Sequence, residues 1–273
     1  MVATLANFPG LAKPGPCALS RASPAHRSTA LPTPPLLVLR STAFNLFFYL
    51  WTVVYLLLTL PAFPFLSPAG VRAVARCWER VTLGGLRLLV GLDHEVRGRE
   101  HLPSTPVIIA AKHQSAWETL AFHVLVPEIA VGLKEELTRV PVFGWYLMKA
   151  QNIRIDRGAA ARALRSLVEG ARRAMAAGLS VLIFPEGTRR APGEPPDFKP
   201  GVAALYAALK VPVVPVALNS GLFWGRKAFV KKPGIILVQY LPPIDPGLNR
   251  KAFMAELEAR LEPAAQALLT GPR

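Results

Sequence analysis

Residues 107–118 read Val-Ile-Ile-Ala-Ala-Lys-His-Gln-Ser-Ala-Trp-Glu. Five consecutive apolar residues, Val107–Ala111, form the kind of short run that a strand buried on both faces carries. Polar residues then break the run, and a helical pattern starts near Ala116. The segment therefore predicts strand, turn and helix in that order. The alternation continues downstream. Ile153–Ile155 reads as a strand end, and Ala159–Ala177 as a helix stopped by Gly178. Ser180–Phe184 reads as a strand and Gly201–Leu209 as a helix. Val211–Leu218 and Ile235–Tyr240 read as strands, and Asn249 caps a last helix bearing Phe253, Leu257 and Leu261. Strands alternating with helices from about residue 96 onward imply an α/β domain over 91–273.

Upstream the chain changes character. Residues 1–40 hold Lys13, Arg21, Arg27 and Arg40 but no acid, with prolines at 9, 14, 16, 24, 32, 34 and 35. They read as a basic, proline-rich disordered tail. Residues 41–71 carry no charge, and Ala43–Leu60 is nearly continuous apolar sequence. Eighteen helical residues reach about 27 Å, near the thickness of a bilayer's hydrocarbon core. A membrane-spanning helix is the first reading, and a re-entrant or interfacial helix the second. On a helical wheel over Val71–Leu89, Arg72, Arg76, Arg80 and Arg87 share one face, opposite Val71, Val74, Trp78, Val81, Leu88 and Leu89. That pattern suits a basic helix lying on anionic lipid, and equally a surface helix packed on its own core. Residues 41–90 thus form a membrane-associated unit.

The composition agrees. The 273 residues include 32 Lys plus Arg against 17 Asp plus Glu, a net charge of +15, with 52% hydrophobic but only 18% charged residues. An apolar, basic, charge-poor chain excludes a disordered polyelectrolyte and points to an anionic membrane surface. Nucleic acid is disfavoured, because the basic residues are scattered and no aromatic-basic module accompanies them. Cys17 and Cys77 fit no metal or redox spacing, and no metal-ligand pattern appears.

Three strand-end turns carry candidate chemistry. In the first, His113 precedes Glu118 by five residues. On one helix that step is about 140°, so the two meet only if His113 sits in the turn and Glu118 in the first helical turn. A carboxylate there can orient the imidazole as a general base. Ser115 and Glu118 also spell a capping box, which accounts for Glu118 without catalysis. His123 and Glu128 repeat the spacing within an apolar run that reads as core. In the second turn, Phe184-Pro185-Glu186-Gly187-Thr188-Arg189-Arg190, Gly187 permits a sharp bend, Arg189 offers a phosphate-matching fork, and Glu186 can accept a bond from a substrate hydroxyl. A self-paired Glu–Arg loop explains the same residues. The third, Asn152-Ile153-Arg154-Ile155-Asp156-Arg157-Gly158, delivers arginine to another strand end, or else lets Asp156 cap the next helix. Val211-Pro212-Val213-Val214-Pro215-Val216 adds no chemistry, and its prolines suggest an edge strand or groove wall.

Taken in order, these four blocks resemble the glycerolipid acyltransferase family, specifically bacterial 1-acyl-sn-glycerol-3-phosphate acyltransferases, over about residues 70–245. The first block matches a His, four residues and an acid, where the family more often has Asp than Glu118. The others match Ile155-Asp156-Arg157, Phe184-Pro185-Glu186-Gly187-Thr188-Arg189 and Val211–Val216. The resemblance implies a mixed α/β sheet flanked by helices, behind an N-terminal membrane-associated helical segment. It implies that His113, oriented by Glu118, deprotonates the sn-2 hydroxyl of lysophosphatidic acid, which attacks an acyl-CoA or acyl-carrier-protein thioester to give phosphatidic acid. Arg157 and Arg189 would hold the acceptor phosphate, with Glu186, Gly187 and Thr188 shaping its site. No metal or resident cofactor is implied. Membrane lipids would be partners, at a bacterial inner membrane with the catalytic domain on the cytoplasmic side. Another acceptor, glycerol 3-phosphate or a lyso-aminolipid, and a non-catalytic lipid-binding protein are the alternatives.

Overall fold

The structure, a computed structural model, describes residues 34–155 and 160–270. Helix α1 (Pro35–Thr59) runs through a 3-10 turn into α2 (Pro68–Val90). Then come β1 (Leu92–Arg97), β2 (Ile108–Ala111), α3 (Trp117–Leu125), β3 (Ile129–Lys134), α4 (Glu135–Thr138), α5 (Phe143–Lys149), β4 (Ile153–Ile155) and α6 (Ala160–Ala176). The chain closes with β5 (Ser180–Ile183), α7 (Pro200–Leu209), β6 (Val213–Leu218), β7 (Gly234–Tyr240) and α8 (Arg250–Thr270). The seven strands form one sheet in the order β1-β7-β6-β2-β5-β3-β4. Every pairing is parallel except β6 with β7.

Strand β2 lies at the centre and is buried on both faces. Ile109 and Ala111 join a core with α2 and α3, whereas Ile108 and Ala110 join one with α6, α7 and α8. This is why the run from Val107 shows no polar alternation. Because the central strands run parallel, the turns after β2 and β5 emerge at the same end of the sheet, where α/β folds build their sites.

The proline-bearing strand β6 is not at an edge. It lies between β7 and β2, and all six of its residues are buried. Pro215 is tolerated because its nitrogen faces the β7 side where that ladder is interrupted. Val213 pairs there with Ile244, Pro215 only accepts from the Leu241 amide at 2.9 Å, and antiparallel pairing begins at Val216. The missing donor has no acceptor waiting for it.

Helix α1 starts at Pro35, inside the stretch read as tail. Proline fits there because the first helical turn leaves its amides unbonded. The remainder of that stretch, residues 1–33, lies outside the described residues. The segment Pro35–Phe65 is long and apolar enough to cross a membrane, and its most apolar window is nowhere buried in the protein. Leu39, Leu46, Leu50, Val53 and Leu57 are all more than half exposed. The other face packs on α2. Trp51 Nε1 donates to the Trp78 carbonyl at 3.3 Å, Tyr55 Oη to the Val74 carbonyl at 2.9 Å, and the Phe47 ring lies where a Cβ on Gly85 would stand. Both ends of α1 are tied to the α/β domain. Ser41 Oγ accepts from the Lys231 amide at 2.9 Å, and Tyr146 Oη donates to Thr59 Oγ1 at 2.9 Å.

The arginine stripe of α2 does not form one outward face. Arg72 is 8% exposed, with Nη2 2.7 Å from Glu128 Oε2 and Nη1 donating to Gln151 Oε1. Arg76 donates to the Pro127 carbonyl at 2.8 Å. Only Arg80 and Arg87 are exposed. Arg87 also lies 3.1 Å from Asp93 Oδ2, so three of the four arginines bind the protein itself, as the packed-helix reading requires.

Candidate active site

Two turns meet at the end of the sheet. After β2 the chain runs through Lys112, His113, Gln114 and Ser115 into α3. After β5 it turns sharply, with the Gly187 amide donating to the Phe184 carbonyl at 2.9 Å and Gly187 in the left-handed region at φ 64°. Only glycine occupies that region without strain. The turns are bonded to each other. The Arg190 amide donates to the His113 carbonyl at 2.8 Å, and the His113 amide donates to Glu186 Oε2 at 2.9 Å. The His113 ring stacks on Phe184, with centroids 3.9 Å apart. Sequence positions 113 and 184–190 thus form one site.

Glu118 is fully buried at the start of α3. Its Oε1 accepts from the amides of Gln114 at 2.9 Å and Ser115 at 3.0 Å, while Oε2 also faces the Ser115 amide at 3.0 Å. Ser115 Oγ accepts from the Trp117 amide at 3.1 Å. The capping arrangement therefore exists, and it lashes the carboxylate to the turn that carries His113. Burial pushes the Glu118 carboxyl up to about 7, against the opposing pull of the Ser220 hydroxyl and the two amides. A carboxyl poised there changes charge near neutral pH.

Glu186 was expected to accept a bond from a substrate hydroxyl, and its position is different. It is 1% exposed, and both oxygens are engaged: Oε2 by the His113 amide, and Oε1 by Lys112 Nζ at 2.5 Å. Lys112, 5% exposed, also reaches Glu262 Oε1 of α8 at 2.7 Å. The chain Glu262–Lys112–Glu186 clamps the His113 turn from behind. Glu186 thus holds the backbone of the His113 turn, with its carboxylate buried. A cleft of about 320 Å³ lies beside Lys112 and Gln114, walled by Glu194, Glu262 and Gln266, but neither His113 nor Arg189 lines it.

Of the adjacent arginines, Arg190 is already committed to Glu194 at 3.3 Å and Asp197 at 3.2 Å. Arg189 is half-buried beside exposed Gly187 and Thr188, and among the described residues its guanidinium makes no ion pair. Arg157 lies outside the described residues, and its neighbour Arg154 is exposed on β4. The His123–Glu128 spacing joins nothing: His123 Nδ1 lies 2.8 Å from Glu79 Oε1 on α2, and Glu128 serves Arg72.

The structure adds residues that the sequence reading passed over. Asn219-Ser220-Gly221 follows β6 directly, the same strand-end position that marked the other turns. Ser220 Oγ donates to Glu118 Oε1 at 2.5 Å, and the Gly221 amide donates to Gln114 Oε1 at 3.0 Å. Glu262 had no sequence signal, being one acid among several on the last helix.

The chain is similar to known proteins. Residues 93–219 match the family model described as Acyltransferase. The chain is 36% identical to a 1-acyl-sn-glycerol-3-phosphate acyltransferase of Pseudomonas aeruginosa over 76% of its length and 85% of that protein's. A protein of the same name from Limnanthes alba is 36% identical over 60% of the chain, which spans 59% of that longer relative. The one from Saccharomyces cerevisiae is 32% identical over 62% of the chain and 56% of the relative. Among solved structures, the 1-acyl-sn-glycerophosphate (LPA) acyltransferase PlsC from Thermotoga maritima superposes with a TM-score of 0.72. It covers 87% of this chain and 99% of its own at 22% identity, which establishes a shared fold.

Proposed function

The chain belongs to this acyltransferase family, and from that premise we propose that it transfers a fatty acyl group from a thioester donor to the sn-2 hydroxyl of 1-acyl-sn-glycerol 3-phosphate, giving phosphatidic acid. The observation that carries the reading is the bonding of the two turns through the His113 amide and carbonyl. It sets on adjoining turns, at one sheet end, one imidazole and one guanidinium that makes no ion pair among the described residues. A base beside a phosphate fork suits an alcohol that bears a phosphate.

In the reaction, a ring nitrogen of His113 removes the proton from the sn-2 hydroxyl. The alkoxide oxygen attacks the thioester carbonyl carbon, and the carbon–sulfur bond breaks. The departing thiolate takes the proton back from the imidazolium, so no acyl-enzyme forms. Glu118, when ionised, favours the transient imidazolium. Arg189, with Arg157, holds the acceptor phosphate. Gly187 and Thr188 form the open rim of that site, and Glu186 fixes its floor. The donor is acyl-CoA or acyl-carrier protein, and the residues present need no resident cofactor for these steps.

The enzyme works on a membrane, in a bacterial cell on the cytoplasmic face of the inner membrane. Ser41 and Thr59, roughly 27 Å apart along α1, are both bonded to the same α/β domain. A helix held at both ends by one domain lies beside it. The exposed leucine and valine face of α1 then seats the domain in one leaflet, which supports the interfacial reading over the spanning one.

Washed membranes containing the protein, given lysophosphatidic acid with labelled acyl-CoA or acyl-carrier protein, should form phosphatidic acid, and His113→Ala should abolish it. Full turnover by His113→Ala overturns the base assignment. Acylation of glycerol 3-phosphate or a lyso-aminolipid in place of lysophosphatidic acid overturns the acceptor.

A further inference from the structure

Ser220 lies outside the four blocks that carry the family likeness, yet it touches the carboxylate on which the proposed mechanism depends. It is fully buried in the 3-10 turn that follows β6. Its hydroxyl donates to Glu118 Oε1 at 2.5 Å, the shortest contact that carboxylate makes. The turn itself is fixed. The Gly221 amide donates to Gln114 Oε1, and a Cβ on Gly221 would stand 2.7 Å from Pro192 and 2.9 Å from Gln114. The Asn219 side chain anchors the same turn, accepting from the Leu237 amide at 2.9 Å and donating to the Leu268 carbonyl at 3.2 Å. A rigid turn thus presents one hydroxyl to one buried carboxylate.

We propose that Ser220 is a positioning residue for the His113–Glu118 pair, its hydroxyl holding Glu118 ionised and aimed so that His113 can serve as the base. The inference rests on the acyltransferase reading above. Among the described residues, Glu118 accepts from the Gln114 and Ser115 amides of its own turn and from the Ser220 hydroxyl. The charged groups on the same turn, the adjoining turn and α3 are committed elsewhere: Lys112 to Glu186 and Glu262, Arg190 to Glu194 and Asp197, and His123 to Glu79. The Ser220 hydroxyl is therefore the adjustable part of the site.

The sign of its effect is the same wherever the pair keeps its proton. A donor to the ionised carboxylate lowers the proton affinity of Glu118. With the proton on His113 instead, the same hydrogen bond draws charge from Glu118 and weakens its hold on the imidazolium. Losing the hydroxyl raises the apparent pKa of the coupled pair in either microstate. The acid limb of the rate profile must then move to higher pH.

The experiment is the pH dependence of kcat/KM for lysophosphatidic acid between pH 5.5 and 9 in wild type, Ser220→Ala, Ser220→Thr and Glu118→Gln. Ser220→Ala should shift the acid limb up by about one unit, so that its rate is about ten-fold below wild type at pH 6 and converges with it near pH 9. Ser220→Thr, which keeps the hydroxyl, should return the limb toward wild type. A merely structural role would lower the whole profile without moving the limb. If Ser220→Ala fails to fold, Ser220→Cys, a weaker donor of similar size, should shift the limb in the same direction. An unmoved limb with an impaired Glu118→Gln overturns the role of Ser220 while leaving the dyad intact. A fully active Glu118→Gln overturns the dyad reading beneath it.

Discussion

Replacing Lys112 by methionine tests whether the site is held from behind by buried charge. The ammonium is 5% exposed and lies 2.5 Å from Glu186 and 2.7 Å from Glu262. The two carboxylates differ: the Glu186 side chain is wholly buried, whereas that of Glu262 is 23% exposed. The loss should therefore fall on the Glu186 pair, since partly exposed pairs contribute little. Removing one partner of a buried pair strands the other charge and costs about 3–5 kcal/mol. For a chain of this size that is roughly a 10 °C fall in apparent Tm. Lys112→Met/Glu186→Gln removes both charges and leaves an amide oxygen for the His113 N–H. It should regain most of the loss, with a coupling of about 2–3 kcal/mol. The assay is thermal unfolding in detergent followed by circular dichroism, with acyl transfer measured on the same samples. If Lys112→Met alone melts within about 2 °C of wild type, or the double variant melts no higher than the single, the clamp does not exist and Glu186 is free to meet substrate.

The two adjacent arginines should separate cleanly. Arg189→Gln should raise KM for lysophosphatidic acid and lower kcat/KM by about ten-fold or more with little change in Tm, as losing a charge-assisted phosphate contact does. Arg190→Gln, which breaks contacts to Glu194 and Asp197, should loosen the loop and leave KM closer to wild type; the reverse ranking refutes the assignment. Glu118→Gln keeps an oxygen for the amides of its turn, so turnover should fall by about ten-fold or more while Tm moves little, and equal losses in both would leave capping as its only role. Lys231 is buried against Trp224 and held by Asn45 of α1, and burial lowers its amine to about 8. The folded state sheds this proton more readily than the unfolded chain, so stability should rise between about pH 8 and 10.5; Lys231→Met should flatten that rise in thermal melts at stepped pH.

The parts of the fold set by local rules were legible from the residues. Continuous apolar runs marked the buried parallel strands, Gly178 stopped α6, and the Asn249 side chain accepts from the Ala252 amide as a cap should. Strand β1 carries polar and charged residues, Asp93, His94 and Glu95, and lacked a clean run to announce it, while in β3 Gly132 breaks a short apolar run. Strand β6 shows the opposite failure. Its prolines argued for an edge, but the penalty applies only where a partner carbonyl waits for the missing N–H, and that depends on the course of residues 241–244.

The site was legible for a different reason and failed in a different place. Two His–Glu pairs five residues apart stand ten residues from each other, and spacing alone cannot rank them. What separates them is the element each occupies. His113 leaves a parallel strand at its C-terminal end, where the sheet cannot cover it. His123 points from α3 into α2, and there Glu79, 44 positions upstream, is the acid within reach. The same holds for the arginines. Arg189 and Arg190 are chemically identical and adjacent, but Glu194 and Asp197 lie within reach of Arg190 only. On α2, Arg72 and Arg76 spend their charge on Glu128. A formal charge of +15 thus overstates what is offered to a ligand. Function follows from the cations that folding leaves unpaired, and the partner each cation meets, 4 residues away for Arg190 or 56 for Arg72, is what periodicity and motif spacing do not encode.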